Sequence, residues 1–217
     1  MQSKRVMQKE KKRTAIVDAA ERLFFSKGFA RTTMDDLCQE ARLSKRTLYI
    51  YFNSKEQLHF EIMIRGYKQL IALLDDASEE HVRAEAKLRE MADAFYRFRK
   101  DFPDYFRTIF SYENAMTDFR NSVPDSSREE CYALGEVVFG KLAALISEGK
   151  DEGIFREELD TTQTAVVLWS CMSGVLNNSL IKKNYLQKYH SISSDFLIHN
   201  AFELMLRSIR NDNGGSD

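Results

Sequence analysis

Apolar residues recur along this chain with the spacing of α-helices. Ile16, Ala19, Ala20, Leu23 and Phe24 fall at i, i+3, i+4, i+7 and i+8, one stripe along a helix. The spacing predicts a first helix from near Lys9, ended at Ser26-Lys27-Gly28 with Gly28 as a left-handed cap. Met34, Leu37, Cys38 and Ala41 repeat the pattern in a short second helix that stops by Arg42-Leu43. Thr33, with Asp36 three residues on, supplies a Thr-x-x-Asp capping box. Ser44 caps a third helix to about Phe52, and Ser54 with Gln57 starts a long fourth one. Leu58, Ile62, Tyr67, Leu70 and Leu74 trace its face to about Asp76. Further helices are predicted over 79–101, 104–118, 127–152, 160–187 and 193–211, with Pro103 and Pro124 as breaks. No alternating strand pattern or repeat intervenes, and two prolines in 217 residues leave long helices room. The predicted class is all-α.

Two short capped helices a few residues apart, 33–41 and 45–52, outline a helix-turn-helix. Leu48 and Phe52, four apart, turn inward with Leu43; Arg46, Thr47, Tyr49 and Ile50 then point outward. Such a face suits DNA. Arginine can donate two hydrogen bonds to a guanine, threonine can meet a base edge, and a tyrosine hydroxyl can bond phosphate. An outward Ile50 is explained by contact with a thymine methyl. Ser44 and Lys55 lie at helix N-termini, where free N–H groups favour phosphate. Charge agrees with this picture. Residues 1–55 hold 13 Lys/Arg against 6 Asp/Glu, although the whole chain has a net charge of -1. A basic end facing a polyanion and a merely solvated basic tail both fit that asymmetry. KRVMQKEKKR is expected to act as a tail adding salt-sensitive, non-specific DNA affinity.

Three stretches, I16-V-D-A-A-E-R-L-F-F-S-K-G-F29, T32-T-M-D-D-L-C-Q-E-A41 and L43-S-K-R-T-L-Y-I-Y-F-N-S-K-E-Q-L58, resemble the TetR (tetracycline-repressor) family of transcriptional regulators in order and spacing. The resemblance covers about residues 9–60. It implies a homodimer with a three-helix DNA-binding domain and a larger C-terminal helical bundle, which binds a small-molecule inducer and dimerises through its last two helices. It assigns DNA contacts to Thr33, Ser44, Lys45, Arg46, Thr47, Tyr49, Tyr51 and Lys55. The expected domains are 1–53 for DNA, 54–211 for ligand and dimerisation, and a disordered tail over 212–217. The sequence departs from the family at Arg42, where glycine is frequent. Either the turn here does not need positive φ, or the arginine adds a phosphate contact.

For the inducer, an aromatic set is expected: Phe95, Phe98, Phe102, Phe106 and Phe110 at helical spacing, with Met63, Tyr67 and Trp169. For the dimer, Val166, Ser173, Gly174, Leu176, Phe202 and Leu206 are expected, with Gly174 permitting close helix approach. His59, His81, His190 and His199 show no metal-ligand spacing, and no phosphate loop or nucleophile elbow is present. An enzyme is thus disfavoured, and no metal or cofactor is expected. Cys38, Cys131 and Cys171 are odd in number and far apart, which fits a reducing cytoplasm; Cys38 and Cys171 are expected in the core. The N-terminus lacks the apolar core of a signal peptide. The run AVVLWSCMSGVL (165–176) is read as a buried helix too short to span a bilayer. The resulting expectation is a cytoplasmic regulator, most simply a repressor leaving a palindromic operator when an inducer binds. Its alternative is a regulator controlled without a small molecule, by a protein or not at all.

Overall fold

The computed structural model describes residues 2–78, 83–113 and 125–211. His81, Pro124, the tail 212–217, residues 79–82 of the predicted fifth helix and 114–118 of the sixth lie outside them. Among the described residues ten α-helices follow in order: α1 Gln2–Lys27, α2 Met34–Ala41, α3 Lys45–Tyr51, α4 Lys55–Ser78, α5 Ala84–Asp101, α6 Pro103–Glu113, α7 Ser126–Asp151, α8 Thr161–Ile181, α9 Lys183–His190 and α10 Ser194–Ile209. No strand occurs among the described residues; one isolated antiparallel bridge joins Phe155 and Arg210. The chain is all-α, as its periodicity predicts. By compactness it divides into two units, residues up to Gln69 with Phe102–Leu134, and Leu70–Asp101 with Gly135–Asp217.

The first unit is built on the predicted stripe. Ile16, Val17, Ala20 and Phe24 of α1, Leu37 of α2, Leu48 of α3, Phe52 just after it, and Leu58 and Ile62 of α4 form one buried cluster. Fully burying a side chain such as Leu48 or Phe52 stabilises by about 1.5–3 kcal/mol. Gly28 closes α1 at φ 88, its N–H donating to the Phe24 carbonyl at 3.0 Å. Two ionic groups tie the unit together. Arg65 of α4 reaches Asp18 and Glu21 of α1 at 2.7 and 2.9 Å, and the Tyr105 hydroxyl of α6 donates to Glu21 at 2.8 Å. The nearly buried Glu61 accepts from Arg13 of α1 and from the Ser127 hydroxyl of α7, each at 2.5 Å.

α1 begins at Gln2, earlier than the predicted Lys9. The apolar stripe marks only the packed part of a helix. Upstream of it, Gln, Lys, Arg, Met and Glu are all good helix formers with no glycine or proline among them.

In the second unit α8 packs along α10, burying Ala165, Leu168, Ser173, Leu176 and Ser179 on one side and Ile198, Leu206 and Ile209 on the other. The predicted helix 160–187 is in fact two, because Lys182 leaves helical geometry (φ -107, ψ 17) and α9 starts after it. Gly149 is required by packing, since a Cβ there would meet the Phe155 ring at 2.2 Å. Around the Phe155–Arg210 bridge, Arg156 N–H donates to Ile209 and Asn211 N–H to Ile154, which fastens the end of α10. Glu85 of α5 binds both Arg89 and Arg210, and Arg89 binds Glu203 of α10. Two sequence readings need correction here. Cys171 is exposed, and the buried cysteine is Cys131. The run 165–176 lies inside the 21-residue α8, which is long and apolar enough to cross a membrane by length and composition alone, a test that a core helix also passes, and which is less buried than that reading expects. The reason is shared: α8 carries apolar residues on the side away from α10 as well, among them Val166 and Val167.

Arg42 ends α2 at φ 54, ψ 45, in the left-handed region. Its N–H serves the Cys38 and Gln39 carbonyls, and Leu43 N–H donates to Cys38 at 2.9 Å. The turn therefore does demand positive φ, contrary to the first of the two readings of this position. An L residue with a Cβ pays about 1–2 kcal/mol there relative to glycine's freedom. Arg42→Gly should stabilise the protein by about 1 kcal/mol and raise its melting temperature by about 2–4 °C, measured by thermal denaturation.

Candidate nucleic-acid interface

The helix-turn-helix is assembled by caps. Thr33 accepts from Asp36 N–H at 3.1 Å while the Asp36 carboxylate accepts from Thr33 N–H at 2.8 Å, closing the predicted box. Lys27 of α1 adds an ion pair to Asp36 at 2.6 Å. These contacts, the Lys27 hydrogen bond first, bring the Asp36 carboxyl down to about 2. Ser44 accepts from Thr47 N–H at 3.1 Å and so starts α3. At the start of α4, Ser54 accepts from Gln57 N–H at 3.2 Å, but the Gln57 side chain accepts from Asn53 N–H, one residue before the expected cap.

α3 shows two contrasting sides. Leu48 and the following Phe52 are buried at 0% and 1% exposure, with Leu43 packed on the same cluster. Ser44, Lys45, Arg46, Tyr49 and Ile50 are exposed, and Thr47 is half-buried. Ile50 is the most telling, an isoleucine left 68% exposed on a helix whose other apolar side is in the core. Thr33 is exposed too, although its hydroxyl is already engaged with Asp36. Tyr51 is half-buried and lines a shallow depression with Arg5, Gln8, Lys9, Lys11 and Lys12 of α1.

Two cations are held differently from the free ends that sequence suggests. Lys45 pairs with Asp35 of α2 at 2.9 Å, and the hydrogen bond its ammonium donates to that carboxylate raises its pKa. The Lys55 ammonium donates to the Phe29 and Thr32 carbonyls at 3.1 and 3.2 Å and lies 4.4 Å from the Phe29 ring centroid. Lys55 thus clamps the loop between α1 and α2. Neither partner could be read from the sequence, because Asp35 and Phe29 sit 10 and 26 residues away. The Asp35-Asp36 pair in the first turn of α2 was the available signal.

The other predicted residues fall as follows. Met63, Tyr67, Phe106 and Phe110 are buried in the first unit, where Phe106 stacks on Phe110 at 4.2 Å; Phe102 is half-buried there. Phe95 and Phe98 are buried in the second unit, with Trp169 edge-on to Phe95 at 5.5 Å. Of the residues expected at a dimer contact, Ser173, Leu176 and Leu206 are buried within the chain, and Phe202 and Gly174 are half-buried. Only Val166 is exposed; the exposed large apolar residues of α8 and α10 are Val166, Val167, Leu180, Ile181, Phe196 and Leu204. The sequence alone could not tell which of these residues the fold would bury. Among the described residues no His, Cys, Asp or Glu cluster could hold a metal.

A helix-turn-helix whose second helix turns a cationic, hydroxyl- and tyrosine-bearing side outward is a DNA-binding module. Residues 16–62 match the family described as bacterial regulatory proteins, tetR family. The chain is 27% identical over 172 residues to YfiR, an uncharacterized HTH-type transcriptional regulator of Bacillus subtilis (strain 168), covering 79% of this chain and 82% of YfiR. It is 25% identical over 166 residues to the HTH-type transcriptional repressor NicS of Pseudomonas putida, 76% of each. The crystal structure of AibR in complex with isovaleryl coenzyme A and operator DNA shares the fold with TM-score 0.62 at 18% identity, covering 89% of this chain and 97% of AibR. Residues 16–62 thus carry the DNA-binding module of the TetR family, and over most of its length the chain is similar to HTH-type transcriptional regulators.

His59 of α4 packs on the site's loop, 4.5 Å from the Phe29 ring and 6.1 Å from Phe24. Burial lowers its pKa to about 4 from the usual 6.5. The folded state therefore holds fewer protons than the unfolded one between those values. Stability is complete above about pH 6.5 and falls on the order of 3 kcal/mol towards pH 4. Denaturant unfolding at the two ends of this window should show that loss in the native sequence and a clearly smaller one in His59→Phe.

Proposed function

We propose that the chain is a repressor that binds a palindromic operator as a homodimer in the cytoplasm and leaves it when a small molecule binds. In this reading residues 1–53 form the DNA-binding domain and 54–211 the ligand and dimer region. The observation that carries it is the exposed side of α3, where Arg46, Tyr49 and Ile50 surround no core. Arg46 reads a guanine edge, Ile50 meets a thymine methyl, and Thr47 a base edge. Ser44, Lys45, Tyr49, Tyr51 and Thr33 serve the phosphates, Lys45 after exchanging Asp35 for the DNA. Lys55 contributes by fixing the α1–α2 loop.

A second copy covers the apolar side formed by Val166, Val167, Leu180, Phe196 and Leu204, since monomers seldom leave such a patch to water. A two-fold axis then sets the two copies of α3 about 34 Å apart, one DNA turn, which is why the operator is palindromic. The likeness to NicS supports repression, and AibR supports control by a small organic ligand. That ligand sits beside the Phe95–Trp169 pair. It must prefer the DNA-free state, because only differential affinity shifts an equilibrium.

The central experiment is operator binding by Arg46→Ala, which should lose about 1–3 kcal/mol and relax the preference at one base pair. Unchanged affinity would remove α3 from the major groove. Sedimentation tests the assembly, and a clean monomer of 25.2 kDa would exclude the palindrome. Trp169 is the chain's sole tryptophan, so its fluorescence reports the inducer directly. Operator DNA should weaken that inducer by the same factor, about 5–150-fold, by which the inducer weakens operator. Equal inducer affinity with and without DNA would leave a regulator with no small-molecule switch.

A further inference from the structure

The first turns of α1 hold an arrangement that the helix-turn-helix does not need. Lys4 to Lys12 are all exposed, so no packing inside the chain selects their identity. Yet Arg5, Gln8, Lys9 and Lys12 stand at i, i+3, i+4 and i+7, one side of a regular helix. Glu10, the single carboxylate among residues 1–13, lies about 150° round the helix from that side. With Lys11, the four side chains wall a depression of about 530 Å³ whose remaining lining residue is Tyr51, from the last turn of α3. A second element thus closes the basic strip, and it is the helix read above as entering the groove.

We propose that this depression is a phosphate subsite for the DNA backbone flanking the bases read by α3. The proposal rests on that reading of α3. Its chemistry is that of a diester anion: three or four ammonium or guanidinium groups, an amide donor and a phenol, with no carboxylate on the strip. Because the cations ride on a helix continuous with the core stripe of α1, and not on a loose tail, they reach a fixed place on the duplex. They lengthen the contacted segment beyond the base pairs that α3 reads. They add affinity without choosing sequence, since phosphates carry none.

The test compares the native protein with Arg5→Ala/Lys9→Ala/Lys12→Ala and with Arg46→Ala. Alanine is the best helix former and none of the three side chains is buried, so α1 persists, which circular dichroism confirms. The probe is the duplex that the native protein selects from a random pool, titrated over a salt series and trimmed stepwise from its ends. The triple variant should show a salt slope shallower by about 0.9 for each phosphate it no longer neutralises, at an unchanged ratio of selected to random duplex. Trimming the flanks should weaken the native protein and leave the triple variant indifferent. A triple variant with the native slope and the native response to trimming overturns the subsite. If Arg46→Ala is impaired in that same experiment, α3 still reads the bases and only the subsite falls. If neither variant differs from the native protein, or the native protein selects no duplex, the reading of α3 falls with it. A loss confined to the selected duplex would also overturn the proposal, by making the strip a reader of sequence.

Discussion

Everything on the exposed side of the helix-turn-helix depends on how one seven-residue helix is held down. α3 has barely two turns, far below the length at which a helix is stable alone in water. It exists because Leu48 and Phe52, one turn apart, are sunk into a cluster shared by α1, α2 and α4. That anchoring fixes more than stability. With two points of one side buried, the rotation of the helix is set, and Arg46, Tyr49 and Ile50 have no direction left but outward. Phe52 is held from above as well, because the Arg13 guanidinium lies 5.1 Å from its ring centroid. The same Arg13 pairs with the nearly buried Glu61, whose carboxylate also takes the Ser127 hydroxyl. A continuous chain of contacts therefore runs from the first turn of α7, through α4 and α1, to the end of α3, all inside one compact unit. A buried carboxylate with one partner removed is costly, so these contacts stand or fall together.

The turn between α2 and α3 shows a local rule yielding to its surroundings. Arg42 occupies a left-handed position that glycine would adopt more cheaply. What compensates is visible: its own N–H and that of Leu43 satisfy the last carbonyls of α2, and Leu43 then enters the core. Lys55 makes the opposite point. Its charge looked available for DNA, but two carbonyls and an aromatic ring have claimed it, and it shapes the loop instead.

The chain itself determined the helices, their caps and the two sides of α3. Apolar spacing, Ser, Thr and Asp at helix starts and glycine at a helix end act over four residues or fewer, so the order of residues is enough to reveal them. It determined the family likeness of residues 16–62 too, because the helix-turn-helix must keep its inward anchors and its outward donors at set intervals. What lay beyond it was whatever depends on distant partners or on the absence of packing. The extra turns of α1 carry no stripe because they bury nothing. The break at Lys182 has no proline or glycine to announce it. On α8 and α10 apolar residues occupy more than one side, so periodicity could not say that Ser173, Leu176 and Leu206 point into the chain while Val166, Val167 and Leu204 do not. The pairings Lys45–Asp35, Arg65–Glu21 and Ser127–Glu61 join residues far apart in sequence, and only the folded backbone brings them within hydrogen-bonding distance. Local geometry is written in local sequence; which charge meets which, and which apolar side is left over, is decided when helices pack and each face must be given to a neighbour or to water.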